Sequence, residues 1–399
     1  MGISMKTARQ QSQLCACPSR RRGATTPLSA LLVAAVISAL LASCASRPEA
    51  GFLTAITETA PGASELSVLI ATTRQRDARP GTLFNGERAE KLDFAAATVS
   101  IPPTHAPGEV EWPAQAPGHS ASEFVATRAD YLDGEENFVR MLNAQLALRP
   151  RGSRKVLLFV HGYNTVFAEA LFRLAQVDHD AAVSDVPVLF SWASRGTLAD
   201  YIYDNNSATA ARDELAHTLK LLFASNAEEV NILAHSMGNW VTVEALRQIQ
   251  IAGQMPHNGK VGSIFLAAPD IDLDVFKSQL RAFPPPRKPF YVVLSRDDEA
   301  LRTSSFLAGG KDRLGSTTNA DELAALGATV IDLTDVKASD SVNHGKFAQL
   351  ATIAPQLLPV LAKGVGGQRP SSSPADLGQG VLQSTLAIQG QFVQIIGGR

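Results

Sequence analysis

Residues 230–240 read "VNILAHSMGNW". The first half is a short apolar run of the kind a strand covered on both faces presents, and the second half continues as a helix. Ser236 stands at the junction, after His235 and before Met237 and Gly238. Two readings compete for it. Serine is a favoured helix N-cap, and a serine on a sharp strand-to-helix turn is also the way a nucleophile is presented. That turn needs small residues on both sides, because a bulky side chain would collide across it. Ala234 and Gly238 meet the need.

The same strand-then-helix unit recurs on either side. "KVLLFVHG" (155–162) leads into a helical pattern over 166–181, and "VPVLFSW" (186–192) into one over 208–224. "EVNILAHS" (229–236) leads into 237–250 and "VGSIFLAAP" (261–269) into 273–281. Strands at 289–295 and 328–334 and a helical stretch at 346–358 complete the series. Upstream, 66–73 and 94–103 read as strands and the Pro/Gly/Ala-rich 104–122 as loop, while Phe138, Leu142 and Leu146 recur at helical spacing over 136–148. The strands are continuous apolar runs rather than in–out alternations. The pattern predicts an α/β fold: a mostly parallel, doubly wound sheet with helices on both faces.

In such sheets the functional groups gather at the carboxyl ends of the strands. In chain order those ends are His161-Gly162-Tyr163-Asn164, Ser191-Trp192, Ser236, Ala268-Pro269-Asp270 and Ser295 through Asp298, with His344 after the last strand. Serine, then acid, then histidine is the chain order of α/β-hydrolases. A serine hydroxyl needs an adjacent base. Of the eight histidines, His344 in "SVNHGKF" follows the last strand, where a polar loop reaches back to the serine. His161 and His235 belong to turns, and the others fall on early loop, helical or surface stretches. For the acid, Asp297, Asp298 and Glu299 stand side by side and spacing does not separate them. Gly162 lets the chain turn, so the backbone N–H groups of Tyr163 and Met237 are the candidate oxyanion donors. Asp270 and Asp272 either line the pocket or cap a helix, and Trp192 and Tyr203 are placed near the site by position alone. Water completes such a reaction, so no cofactor is expected. No HExxH or paired-cysteine pattern suggests a metal, and Asp178, His179 and Asp180 in "VDHD" point in different directions on a helix.

At 45% hydrophobic and 19% charged the composition is ordinary globular usage. The charge is uneven. Lys6, Arg9, Arg20, Arg21 and Arg22 precede residue 44 with no acid among them, leaving the remainder with seven more acids than bases. That balance argues against nucleic acid as a partner. The basic start runs into "PLSALLVAAVISALLASC" (27–44), the layout of an export signal and short for a membrane span. "LASC" resembles a bacterial lipobox, which implies lipidation of Cys44. Cys15 and Cys17 fall in the part removed, so an internal disulfide is not expected. More than one acyl chain on Cys44 would give stable membrane anchoring. Ala45 after the cysteine, rather than Asp, points to the outer membrane, facing the periplasm. The expected organisation is a signal peptide over 1–43, a small and polar tether over 44–65, a hydrolase domain over 66–362 and a flexible tail over 363–399, which opens with the linker composition "GVGGQRPSSSPADLGQG".

Between about Leu66 and Leu358 the chain resembles the bacterial α/β-hydrolases of uncharacterised function in the esterase/lipase superfamily. The resemblance is carried by "ATTRQR" (71–76), "TVSIPPTHAPGEVEWP" (98–113), "FVHGYN" (159–164), "FSWAS" (190–194), "YDNNSA" (203–208), "NILAHSMGN" (231–239), "AAPDID" (267–272), "LSRDDEAL" (294–301) and "NHGKF" (343–347). It implies the α/β-hydrolase fold and a triad of Ser236, His344 and, through the pattern Ser-x-x-Asp-x-Ala-Leu, Asp298. The function expected is cleavage of small-molecule or lipid-like acyl esters by an exported, membrane-anchored serine hydrolase. Two alternatives share the sequence evidence: acyl transfer or amide or thioester hydrolysis by the same triad, and an envelope lipoprotein that uses the fold to bind.

Overall fold

The computed structural model of the protein describes residues 50–351, 381–388 and 391–398, apart from 183, 257–258, 284–289 and 339. Cys44, the export segment and the linker at 364–380 lie outside the described residues. Eleven strands form one sheet in the order β10-β11-β9-β8-β7-β6-β4-β5-β1-β2-β3. They are β1 (Ser64–Arg76), β2 (Phe84–Ile101), β3 (Val125–Leu132), β4 (Lys155–Val160), β5 (Val186–Ser191), β6 (Glu229–His235), β7 (Val261–Ala267), β8 (Phe290–Leu294), β9 (Thr329–Asp332), β10 (Val381–Ile388) and β11 (Gln391–Gly398). The stretch from β9 through β1 is parallel at every pairing. The two margins are antiparallel, β2 and β3 on one side and β11 and β10 on the other.

Between the strands run α1 (Gly134–Ala147), α2 (Phe167–Ala181), α3 (Tyr201–Ala224), α4 (Met237–Ile251), α5 (Leu273–Leu280), α6 (Glu299–Leu307) and α7 (Ala320–Ala325). Successive strand residues feed opposite faces, as a period of two demands. Leu158, Val160, Val188 and Phe190 join one core with Leu142 of α1, Leu215 of α3 and Leu246 of α4. Their neighbours Phe159 and Leu189 join a second core with Leu171, Phe172 and Leu174 of α2. Residues covered on both sides explain why these strands read as unbroken apolar runs. The parallel, doubly wound architecture is the one the sequence predicts, and it is that of an α/β-hydrolase.

Three elements depart from expectation. β3 falls between the loop expected over 104–122 and the helix expected over 136–148, where the sequence predicts no element, and β2 begins ten residues before its predicted start; both form the antiparallel margin of the sheet. Helix α3 begins at Tyr201, seven residues early, through the polar turn "YIYDNNS". The segment 381–398, assigned to a flexible tail on the strength of the linker before it, is a hairpin that adds β11 to β9. Val393 and Ile395 pack there against Ile331 and Leu350.

The strand order fixes where a site can form. From β4 the chain moves to β5 on one side, then returns past β4 to lay down β6, β7, β8 and β9 on the other. The order reverses at β4 and β6, so the loops leaving their carboxyl ends diverge and open a crevice. His161-Gly162-Tyr163 leaves β4 there, and Ser236 leaves β6 beside it.

Candidate functional site

Ser236 sits between β6 and α4 with φ +53° and ψ −123°. A positive φ in a residue with a Cβ is strained by roughly 1–3 kcal/mol and persists only where surrounding structure enforces it. The enforcement is visible. Ser236 N donates to Ala267 O at 2.9 Å, while its carbonyl accepts from Asn239 N at 3.1 Å, Asn239 Nδ2 at 2.9 Å and Asp270 N at 3.2 Å. Its hydroxyl makes no capping bond to the helix it precedes, so the N-cap reading is not met. Small neighbours are required as the sequence suggested. A Cβ on Gly238 would lie 2.3 Å from His161 O, and one on Gly162 would lie 2.7 Å from the Ser236 Cβ. Met237 opens α4, so its N–H has no acceptor within the helix and faces the crevice end.

The three adjacent acids, inseparable by spacing, have different partners. Asp298, wholly buried, caps α6 by accepting from Leu301 N at 2.9 Å and accepts from His344 Nδ1 at 2.7 Å with its other oxygen. Asp297 is held by Lys346 Nζ at 2.8 and 2.9 Å and by Ser295 Oγ. Glu299 points outward to Arg302. Lys346 is itself buried and also donates to Thr334 O at 2.8 Å, so it pins the short 3-10 turn that carries His344. Asp340 accepts from the backbone N–H groups of Val342, His344 and Gly345, and Asn343 Nδ2 reaches Asp297 O at 3.1 Å.

With Nδ1 donating to Asp298, His344 keeps Nε2 as its basic nitrogen. Burial alone would lower its pKa. The hydrogen bond and charge of Asp298, aided by Asp270 and Asp340, outweigh that and hold it above the ordinary value. The ring of His344 packs 4.7 Å from that of His235, the residue before Ser236, and His235 stacks on Phe347 at 4.0 Å. Burial first, then the neighbouring His344, keep His235 well below the ordinary histidine value and therefore neutral. The turn at 343–347 is thus packed against the β6–α4 junction.

The loop after β4 is held by Arg74 and Asp204, whose roles no local motif marks. Arg74 on β1 is buried and donates to Ser191 Oγ at 2.7 Å, Ser194 O at 2.7 Å, Asn85 O at 3.1 Å and Thr165 O at 2.7 Å. Burial lowers its pKa to about 10, with Asp204 and Glu169 opposing, so it remains a cation at neutral pH. Asp204 accepts from Asn164 N at 3.1 Å, Ser194 Oγ at 2.5 Å and Arg195 N at 3.0 Å. His161 donates from Nδ1 to Gly162 O at 2.8 Å and accepts at Nε2 from Ser191 Oγ at 3.0 Å. Burial, reinforced by the Arg74 charge, drives its pKa to about 3. Trp192 stacks on this neutral ring at 5.0 Å and donates from Nε1 to His161 O at 2.9 Å. Tyr163, directly before this braced stretch, donates from its phenol to Leu198 O at 2.5 Å. Tyr203 lies elsewhere, bonding Gly86 O and stacking with Arg195 at 3.7 Å.

Asp270 and Asp272 both line a pocket, and Asp272 fills the capping role as well. Asp272 caps α5 through Asp274 N and Val275 N. Asp270 pairs with the buried Arg313, its Oδ1 lying 3.2 Å from Arg313 Nε. Arg313 is another residue that nothing in the local sequence marks. In the "VDHD" segment, Asp180 accepts from His105 Nε2 at 2.9 Å while Glu111 takes the other nitrogen at 2.8 Å, tying the 104–122 loop to α2.

An α/β sheet with a strained serine at its switch point and an Asp–His pair packed beside that junction defines a hydrolase of the α/β-hydrolase class. Residues 136–360 match the family described as "Alpha/beta hydrolase of unknown function (DUF900)", and the chain belongs to that family. Several solved structures are similar to it, two of which follow. One is the crystal structure of DphMB1, at 12% identity and a TM-score of 0.32, covering 84% of this chain and 98% of that one. The other comes from a structural analysis of two fungal esterases from Rhizomucor miehei, at 15% identity and a TM-score of 0.31, covering 86% of this chain and 94% of that one. Both likenesses are distant, and the family assignment rests on the sequence match. No curated protein matches the chain.

Proposed function

We propose that the protein is a serine hydrolase of carboxylic esters that works through an acyl-enzyme. Ser236 Oγ attacks the acyl carbonyl as His344 Nε2 takes its proton. Asp298 fixes the tautomer of His344 and stabilises the imidazolium that forms. The backbone N–H groups of Tyr163 and Met237 receive the oxyanion. His344 then protonates the departing alcohol, and water, activated by the same base, releases the acid and restores Ser236. One observation carries the reading: a buried carboxylate bonded at 2.7 Å to Nδ1 of a histidine whose ring packs on His235, directly before a serine whose φ of +53° serves no capping purpose. Strain without a structural use favours a nucleophile over a module kept for binding.

The test is turnover of p-nitrophenyl butyrate by the wild-type chain and by Ser236→Ala. The variant is expected to lose turnover by several orders of magnitude while melting at the same temperature. Retained turnover refutes the assignment.

We further propose that the chain is exported and held on the outer membrane, facing the periplasm, through lipid on Cys44. The support is the basic, apolar and "LASC" succession in the sequence. Metabolic labelling with a clickable fatty acid is expected to mark the wild type and spare Cys44→Ser, and equal labelling of both refutes it.

A further inference from the structure

A cavity of about 370 Å³ is lined by Met237, the residue after Ser236. Met237 forms its inner edge, and Asp270 reaches it from the loop whose backbone N–H bonds the Ser236 carbonyl at 3.2 Å. Its deep wall is the Asp270–Arg313 pair, both side chains more than nine-tenths buried. Its outer wall is apolar: Ile202 from α3, Val275 from α5 and Leu307 from α6. Ile202 is 76%, Leu307 58% and Val275 40% exposed. Three of the ten large exposed apolar side chains of the described residues therefore line this one opening. Apolar side chains gathered at one opening mark a surface meant to be covered.

The charged wall has hydrogen-bonding capacity left over. Asp270 accepts from Tyr201 OH at 3.2 Å and from Ser304 Oγ, and a carboxylate has about four acceptor positions. Arg313 donates from Nη2 to Ser304 O at 3.3 Å, and its Nε is enclosed beside Asp270, so what it can offer a ligand lies on its terminal nitrogens. A guanidinium has five donors. The pair is neutral overall, with Asp272 also on the wall. An anionic ligand would set a further negative charge beside two carboxylates, and a cationic one would face Arg313. A hydroxyl suits both members, because it accepts from the guanidinium and donates to the carboxylate.

We propose, resting on the reading of Ser236 as nucleophile, that this cavity selects esters bearing an uncharged hydroxyl within a few carbons of the ester bond, with hydrocarbon beyond it. Arg313 and Asp270 read the hydroxyl, and Ile202, Val275 and Leu307 take the hydrocarbon. The position of the hydroxyl follows from the layout: the polar wall includes Asp270, whose backbone is bonded to the Ser236 carbonyl, and the apolar wall adjoins solvent. At about 30 Å³ per water-sized group, the cavity holds a group of about a dozen non-hydrogen atoms, which suits a medium chain. The hydroxyl belongs either to the acyl chain or to the alcohol.

The experiment first labels the full-length chain with a fluorophosphonate and then compares kcat/KM on matched esters. For the acyl side these are p-nitrophenyl 3-hydroxyhexanoate, p-nitrophenyl hexanoate and the p-nitrophenyl monoester of adipic acid. For the alcohol side they are glycerol monohexanoate and propyl hexanoate. A hydrogen bond to a charged group gives a preference of about 10- to 100-fold for the hydroxylated member on one side. In the double variant Arg313→Gln, Asp270→Asn, which strands neither charge, the ratio is expected to fall towards one. Arg313→Lys, which keeps the charge and removes the fork, is expected to reduce the ratio if the double variant does not fold. A wild-type ratio near one on both sides, or a preference for the adipate ester, overturns the proposal while labelled Ser236 leaves the nucleophile in place. An unlabelled Ser236 overturns both.

Discussion

Replacing Asp298 and Asp297 one at a time with asparagine separates chemistry from scaffolding in neighbouring residues. Asp298 stands 2.7 Å from His344 Nδ1 and is wholly buried. During turnover that contact becomes an imidazolium–carboxylate pair, worth at most about 6 kcal/mol at an effective dielectric of about 20. Removing the charge thus puts up to about four decades of rate at stake. Asparagine also offers an N–H where His344 needs an acceptor, which favours the wrong tautomer. The expected loss in Asp298→Asn is about 10³- to 10⁴-fold in kcat on p-nitrophenyl butyrate. Stability changes little, by about 1 kcal/mol or less, because asparagine caps α6 as aspartate does. Asp297→Asn should behave in the opposite way. Its partner Lys346 keeps the carbonyls of Leu333 and Thr334, and because the ammonium is buried while Asp297 is partly exposed, losing the charge costs about 1–3 kcal/mol of stability. Turnover is expected to stay within about tenfold of wild type. Steady-state kinetics with thermal melting on the same samples decide the matter. Loss of turnover in Asp297→Asn with turnover kept in Asp298→Asn refutes the assignment of roles.

Arg74→Met leaves the Ser194 and Thr165 carbonyls buried without a donor, at about 1–3 kcal/mol each. It is expected to lower the melting temperature by several degrees and to reduce kcat through the loop after β4, and an unchanged protein shows the brace to be idle. The raised His344 pKa predicts an acid limb in kcat/KM with its midpoint above 6.5, since protonated His344 cannot act as base. A limb below 6.5 contradicts the Asp298 pairing. Asp178 is buried on α2 with Oδ1 unpartnered, and burial, then Asp185, raise its pKa to about 7. A raised carboxyl pKa costs stability as pH climbs from the unfolded value through the folded one, by at most about 4 kcal/mol above pH 7. Asp178→Asn is therefore expected to melt higher than wild type at pH 8 and equally at pH 4, and no gain at pH 8 shows the carboxylate to be solvated or paired.

The sequence made legible whatever is decided locally. The β6–α4 turn needs small residues at fixed offsets, so Ala234, Ser236 and Gly238 announce it, and strands covered on both faces are unbroken apolar runs. What stayed hidden is decided by partners far along the chain. Asp297 and Asp298 are equivalent until Lys346 takes one and His344 the other, nearly fifty residues later. Arg74 is one cation among many in a linear reading, and its importance comes from carbonyls 91 and 120 residues away. Arg313 and Asp204 are hidden for the same reason. The terminal hairpin was obscured by the linker before it, although Val393 and Ile395 alternate with polar Gln394 as a strand with one covered face should.

The central claim is that Ser236 is an activated nucleophile. The most direct measurement is to treat the full-length protein with a fluorophosphonate probe and map the modified peptide. The account predicts stoichiometric modification at Ser236 that slows by orders of magnitude in His344→Ala. Folded protein that stays unmodified, or is modified at another serine, contradicts it.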